Sequence, residues 1–520
     1  MAKLAWVLFC LLSASYVCDA YRALVIFPLP GKSHNILGNG VVKHLLDAGH
    51  EVTFITSIVN KKPHPKLHEI NVTANWDKLP EEMFALTNVM SGGVSANDHV
   101  FIAFIFHMFA TETLQYDNVQ KFLSDKNQHF DVIIAEWMFN ELYSGLAALY
   151  SAPLIWVSTI EPHGQVLALI DEYLNTAYNG YYIDSLPPFS FVDRVNELWQ
   201  TVRYTVVKET VIRALQWWQY GKLIAPHIEA RGKVPPAFEE LKYNASLILG
   251  NSHVSMGQAT RLPQGYKPIG GYHISDKIDP LPEDIKKIMD DSKDGVIYFS
   301  MGSNLKSNTL PEELKKDLLK VFGSLKQTVF WKFEEDLPNT PKNLHILKWA
   351  PQQSILAHPN CVLFITHGGL LSTTETIHAG VPIIGIPVFA DQFINVERAV
   401  KKGFAKKVAL SYTMAGELKA TIEEIISDPK YSQKVKELSF IYHDRPVKPG
   451  VELVHWVEHV IKTDGAPHLR SAALVVPWYQ KAYLDLALLL AALIYLLRKA
   501  LKLVLPMIFP KRNGVKQKKN

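Results

Sequence analysis

Residues 364–375 read FITHGGLLSTTE, and the rest of the sequence is arranged around them. A short apolar run, 362–365, breaks at Thr366-His367-Gly368-Gly369. Helix-compatible residues follow over 372–379 until Gly380-Val381-Pro382 stops them. A second apolar run, 383–386, leads to Pro387 and then Asp391-Gln392. Strand, glycine turn, helix and strand in this order predict a turn at the carboxyl end of a parallel strand. Glycines let backbone N–H groups approach a ligand closely, and a helix start attracts anions. His367 can donate to a phosphate there, and Glu375, one turn into the helix, can accept from hydroxyls. The set suits a sugar-nucleotide diphosphate.

Each piece alone has a plainer reading: His-Gly-Gly as a turn, Glu375 as a solvated helix residue. The combination is more specific. From Trp349 the chain reads WAPQ, then HGG, Glu375, GVP and DQ. In this order the motifs resemble the membrane-bound UDP-glycosyltransferases of animals, and the resemblance extends over nearly the whole chain. Leu370-Leu371 stand where vertebrate members usually carry Ser-Asn, which makes the likeness arthropod-type.

A chain of 520 residues is too long for one core, so two domains are expected. A net charge of +4 without a basic stripe in the body gives no reason to expect nucleic acid. Of three cysteines, Cys10 and Cys18 lie in a segment that reads as a signal peptide, with an apolar run at 4–12 and cleavage expected after Ala20. Cys361 then remains alone, and it reads as a core residue. Near the other end, 483–497 is apolar apart from Asp485 and is preceded by Trp478-Tyr479. Arg498, Lys499, Lys502, Lys511, Arg512, Lys516, Lys518 and Lys519 follow without an acidic residue, as in a positive-inside tail. The ends predict a luminal body of the endoplasmic reticulum on a single-pass type I anchor, with sequons at Asn71 and Asn244 and a dilysine-like Lys516/Lys518.

In the amino-terminal half, 23–27, 36–47 and 51–56 form a βαβ pattern. Gly31-Lys32-Ser33 resembles the end of a P-loop, but that motif's first glycine falls at Ile26, so it is rejected. His34 sits in the loop beyond the first strand, where open α/β sheets place ligands; unaided, it reads as readily as a capping or solvated residue. The run 131–135 is a strand with Glu136 at its end, 154–157 is the next, and the loop 158–164 faces the acceptor side. Over 171–237, Trp199, Tyr204, Trp217 and Trp218 fall at helical intervals, either roofing a cleft or packing the core. Further strands are expected at 246–249, 296–300, 328–332 and 345–347. The second of these ends in Gly302-Ser303-Asn304, a turn that can offer backbone and hydroxyl donors. Trp349 has a ring suited to stacking, and Gln352 both a donor and an acceptor.

The resemblance implies a GT-B fold: two Rossmann-like domains facing a cleft, plus a carboxy-terminal transmembrane helix. Its expected boundaries are 1–20 signal peptide, 21–275 acceptor domain, 276–290 linker, 291–450 UDP-sugar domain, 451–477 returning segment, 478–500 span and 501–520 cytosolic tail. It assigns His34 as the catalytic base and Glu136 as its partner, where most members carry aspartate. Trp349 and Gln352 go to the base or ribose, Glu375 to the ribose, and Asp391-Gln392 to the sugar. Ser303, His367, Gly368 and Gly369 go to the diphosphate, with Ser372 and Thr373 open between phosphate contacts and helix caps. The implied reaction is an inverting, metal-free transfer of a hexose, glucose first, from a UDP-sugar to a small lipophilic acceptor. Self-association is left open. Two alternatives remain: a transferase acting on lipid or protein glycans, and a luminal UDP-sugar-binding protein in which Glu136 misaligns His34.

Overall fold

The computed structural model describes residues 20–509, apart from 80–84, 92–97, 181, 183–184 and 304. Nearly all of the expected signal peptide, with Cys10 and Cys18, lies outside the described residues; so do Asn304 and the tail lysines and arginine from Lys511 on. The chain divides into two units, residues 1–470 and 471–520.

The first unit holds two parallel sheets. Strands β1 (Arg22–Phe27), β2 (Glu51–Thr56), β3 (Leu67–Asn71), β4 (Val132–Trp137), β5 (Leu154–Ser158), β6 (Ala245–Gly250) and β7 (Tyr266–Pro268) line up as β3-β2-β1-β4-β5-β6-β7. The second sheet, β8 (Val296–Ser300), β9 (Thr328–Lys332), β10 (Leu344–Leu347), β11 (Cys361–Thr366), β12 (Ile383–Gly385) and β13 (Ala405–Lys407), runs β10-β9-β8-β11-β12-β13. Both sheets have the doubly wound order of Rossmann-like domains, in which strand order reverses at one internal point.

Helices cover both faces of each sheet, so the central strands are continuous apolar runs. Successive residues of β1 alternate between two cores: Leu24 and Ile26 join Trp137 and Trp156 on one face, while Val25 and Phe27 join Leu247 and Leu249 on the other. The second sheet does the same, with Phe299 and Trp331 on one side and Tyr298 and Phe364 on the other.

The helices that matter for the site are α1 (Lys32–Asp47), α2 (His99–Gln115), α3 (Leu370–Ala379) and α4 (Gln392–Lys401). Helix α5 (Pro449–Lys462) follows the second sheet in sequence but packs on the first: Leu453, Val457 and Val460 share a core with Val25 and Leu249. Their i, i+4, i+7 spacing is one helix face, and it returns the chain across both domains. The stretch expected as linker, 276–290, is helical over its second half, since a helix spans Glu283–Asp291. Asp290 in it pairs with Lys286 and His358. Cys361 is buried and free, its thiol pushed up to about 12 by burial.

In the second unit, the segment expected as one membrane span over 478–500 forms two helices, Trp478–Lys481 and α6 (Leu484–Ile508), with Tyr483 between them in a left-handed conformation, φ 54°. Arg498, Lys499 and Lys502 interrupt α6, and no helix among the described residues is long and apolar enough to cross a membrane.

Candidate active site

Each sheet reverses its strand order at one place, and a crevice opens there at the carboxyl ends of the strands. In the first sheet the reversal lies between β1 and β4, which pair in parallel from Ala23↔Val132 to Ile26↔Ala135. The loop after β1 carries His34 into the first turn of α1, and β4 carries Glu136 near its end. In the second sheet it lies between β8 and β11, paired through Thr366↔Ser300. There β8 leads into Gly302-Ser303 and β11 into His367-Gly368-Gly369. One cavity of about 790 Å³ is lined from both crevices, by His34 on one side and by Ser303, Trp349, Gln352, His367, Gly369, Ser372, Glu375, Asp391 and Gln392 on the other.

Glu136 lies behind His34 rather than in the cavity wall. Its Oε1 is 2.5 Å from His34 Nδ1, with the carboxylate side chain 1% exposed and the imidazole 22%. The extra methylene relative to aspartate therefore does not prevent the contact. Burial pulls the His34 pKa down, but the charge and hydrogen bond of Glu136, with Asp391 adding from the other domain, outweigh it and hold His34 above its ordinary value. Glu136 Oε2 is buried without a hydrogen-bond partner among the described residues. With Nδ1 bound to Glu136, the other ring nitrogen is the one left to take a proton.

On the donor side, the positive-φ glycines are required by close packing. A Cβ on Gly368 (φ 80°) would lie 2.3 Å from Val396 Cγ2, and one on Gly302 (φ 85°) would lie 2.5 Å from His367 Cε1. The Gly302 turn thereby closes on the His367 imidazole, and the Gly368 turn on α4. Burial, with Lys332 nearby, pulls the His367 pKa to about 4. It is neutral at pH 7 and offers a hydrogen bond rather than a charge. Lys332 Nζ donates to Gly302 O (3.1 Å) and pairs with Glu334 Oε1 (2.7 Å). Helix α3 begins at Leu370 after Gly369 without a side-chain cap, leaving its first N–H groups for an anion.

Glu375 accepts from Gln352 Nε2 (2.6 Å) and Gln353 Nε2 (2.9 Å). Burial raises its pKa above the ordinary value, with those hydrogen bonds opposing it. Gln352 also donates to Ser372 Oγ (3.0 Å) and accepts from Tyr298 OH (3.3 Å), so it is held in a network rather than projecting freely. Asp391 accepts from Asn395 Nδ2 (2.8 Å), which also reaches Gly368 O (3.2 Å), and α4 thereby fixes both ends of this wall. Burial raises the Asp391 pKa, only partly offset by Asn395, Arg398 and His34. Gln392 Oε1 accepts from Val388 and Phe389 N–H. Thr373 Oγ1 donates to Gly369 O within its own helix and does not line the cavity.

The acceptor side corrects one sequence reading. Trp199, Trp217 and Trp218 are 63%, 60% and 52% exposed, and none of them roofs the cavity. Tyr204 packs in the core. Tyr182 is the described residue of 171–237 that lines the cavity; the rest of the apolar wall comes from α2, through Phe101, Ile105, Phe106 and Phe109, together with Met138 and Phe139. Thr159 and Ile160 line it from the loop after β5, on the side expected. The unbroken run VFIAFIF from Val100 to Phe106 was the signal for α2. Lys32 was also missed: it does not itself line the cavity, but its Nζ lies 4.5 Å from the centroid of the Trp349 ring, which does. Among the described residues no group of three His, Cys, Asp or Glu side chains can hold a metal ion.

A family model described as "UDP-glucoronosyl and UDP-glucosyl transferase" matches residues 23–519. UDP-glycosyltransferase UGT5 of Dactylopius coccus is 31% identical over 489 residues, covering 92% of this chain and 90% of that protein. UDP-glucuronosyltransferase 2B15 of Homo sapiens is 28% identical over 489 residues, 88% of each. Among solved structures, the calicheamicin glycosyltransferase CalG4 superposes with a TM-score of 0.56 at 14% identity, over 85% of this chain and 99% of that one. Glycosyltransferase VinC, solved in complex with DTDP, gives 0.54 at 14% identity, over 85% and 100%. These structures share the GT-B fold. With two facing Rossmann-like sheets, a shared crevice and a family match along nearly its whole length, the chain belongs to the UDP-glucuronosyl and UDP-glucosyl transferase family.

Proposed function

We propose that this UDP-glycosyltransferase moves a hexose, glucose first, to a hydroxyl of a small lipophilic acceptor, with inversion to a β-glycoside, in detoxification or clearance. The observation that carries the reading is the His34–Glu136 pair at 2.5 Å, with His34 lining the same cavity as His367, Glu375 and Asp391. His34 takes the acceptor proton as the oxygen attacks the anomeric carbon, and Glu136 stabilises the imidazolium. The departing UDP meets the neutral His367, the Gly369 N–H and the start of α3, while the Gly368 N–H is already given to Thr366 Oγ1 (3.2 Å) behind the wall; these donors give the step its electrostatic support without assigning a metal to it. Aromatic and aliphatic side chains of α2 favour an apolar acceptor.

A panel of UDP-glucose, UDP-glucuronate and UDP-galactose against phenols and steroids tests this, with products identified by mass spectrometry and the anomer by proton NMR. A β-glucoside of a phenol is expected. Acceptor-independent UDP release, or an α-linked product, contradicts the reading. The proposal extends to a luminal body of the endoplasmic reticulum anchored near residues 478–500. Its support is the apolar run 483–497 and the basic residues after it. Release of the full chain from microsomes by alkaline carbonate contradicts the anchor.

A further inference from the structure

Of the described residues lining the cavity, the one lysine or arginine is Lys332, and its ammonium is already paired with Glu334. A UDP leaving group gains negative charge as its bond to the sugar breaks, and a mobile cation is the group that can follow that charge. Lys32 fits this need. It stands on the acceptor domain at the first residue of α1, two positions before His34, and its side chain crosses to the donor domain.

Its position next to the donor crevice is marked in two ways. The ammonium lies over the ring of Trp349, which lines the cavity. Burial, then the positive charges of Lys332 and Lys306, lower its pKa, while only Glu334 opposes them. Burial is the larger of these costs, and a bound anion offsets it together with the repulsion from the neighbouring lysines. A cation–π contact at a partly exposed ring contributes only about 0.5–1 kcal/mol, whereas a charge-assisted hydrogen bond to phosphate contributes about 1.5–3 kcal/mol. The difference favours transfer of the ammonium from ring to phosphate, because the long, flexible lysine stem lets it swing.

We propose that Lys32 is a cross-cleft binding residue for the donor diphosphate, exchanging its contact with Trp349 for the phosphates when the nucleotide binds. In that exchange it frees the indole face for the uracil and ties the helix bearing His34 to the leaving group. The inference rests on the proposed donor reading.

Isothermal titration of purified full-length protein with UDP and with uridine tests it, in wild type, Lys32→Ala and Lys32→Arg. The alanine variant is expected to weaken UDP about tenfold, or about 1.4 kcal/mol, while uridine changes by less than about twofold. The arginine variant, which keeps a cation able to reach phosphate, is expected to stay near wild type. Equal weakening of UDP and uridine makes Lys32 a support for Trp349 alone and overturns the proposal, as does unchanged UDP affinity. Absence of UDP binding by wild type defeats the donor reading itself, and this control separates that failure from a failure of Lys32.

Discussion

His34 Nδ1 and Glu136 Oε1 stand 2.5 Å apart although 102 positions separate them in the chain. Neighbouring strands on either side of a topological reversal bring them together, and burial of the carboxylate gives the contact its strength. A base must be neutral to accept a proton, so kcat/KM rises with pH through the His34 pKa. Because Glu136 raises that pKa, the acid limb is expected above the ordinary histidine value of about 6.5. Glu136→Gln is expected to lower kcat by about 10²-fold or more and to move the acid limb to lower pH. A pH–rate profile checks both, and an unmoved limb contradicts the pairing.

The shorter Glu136→Asp is a separate test of reach. Removing one methylene from a contact of 2.5 Å leaves a gap of about 1 Å or more, and misplacement on that scale costs up to about 10²-fold in rate. The expected result is a kcat between wild type and the glutamine variant, with UDP affinity unchanged.

Glu375 is held by Gln352 and Gln353 at the start of the nucleotide wall. If it accepts from the ribose hydroxyls, Glu375→Ala should weaken UDP about tenfold or more and 2′-deoxy-UDP much less. Calorimetry on the pair of nucleotides measures this; equal losses place Glu375 outside ribose recognition.

Gly368→Ala tests the turn itself. The added Cβ meets Val396 at 2.3 Å on a backbone with φ 80°. A cost of about 1–3 kcal/mol is expected, read as a lower thermal midpoint together with weaker UDP binding. A variant as stable as wild type contradicts the packing described.

Phe106, stacked on Phe139 at 5.8 Å, is an acceptor-side wall. Phe106→Ala is expected to raise KM for an aromatic acceptor about tenfold, from lost apolar burial, and to leave UDP affinity alone. Kinetics with a phenol varied at saturating UDP-glucose decide it.

Much of this was legible in the chain. The strands at 296–300 and 328–332 coincide with β8 and β9 as expected, because buried parallel strands are continuous apolar runs with sharp ends. Helix α1 began at Lys32, not near Ile36, because its first turn carries polar residues that a search for apolar periodicity passes over. Trp199, Trp217 and Trp218 misled for the opposite reason: helical spacing identifies a face but not what the face meets. Gln352 bonded to Glu375, and Lys32 over Trp349, depend on how distant segments dock, which no local pattern encodes.

The most direct test compares wild type with His34→Ala for acceptor-dependent UDP release and for UDP affinity in the same preparations. The expected result is a fall in turnover of about 10²–10⁴-fold with UDP affinity retained, since His34 handles a proton rather than the nucleotide. Turnover surviving at the wild-type rate, with UDP bound equally well, would contradict the assignment of His34 as the base.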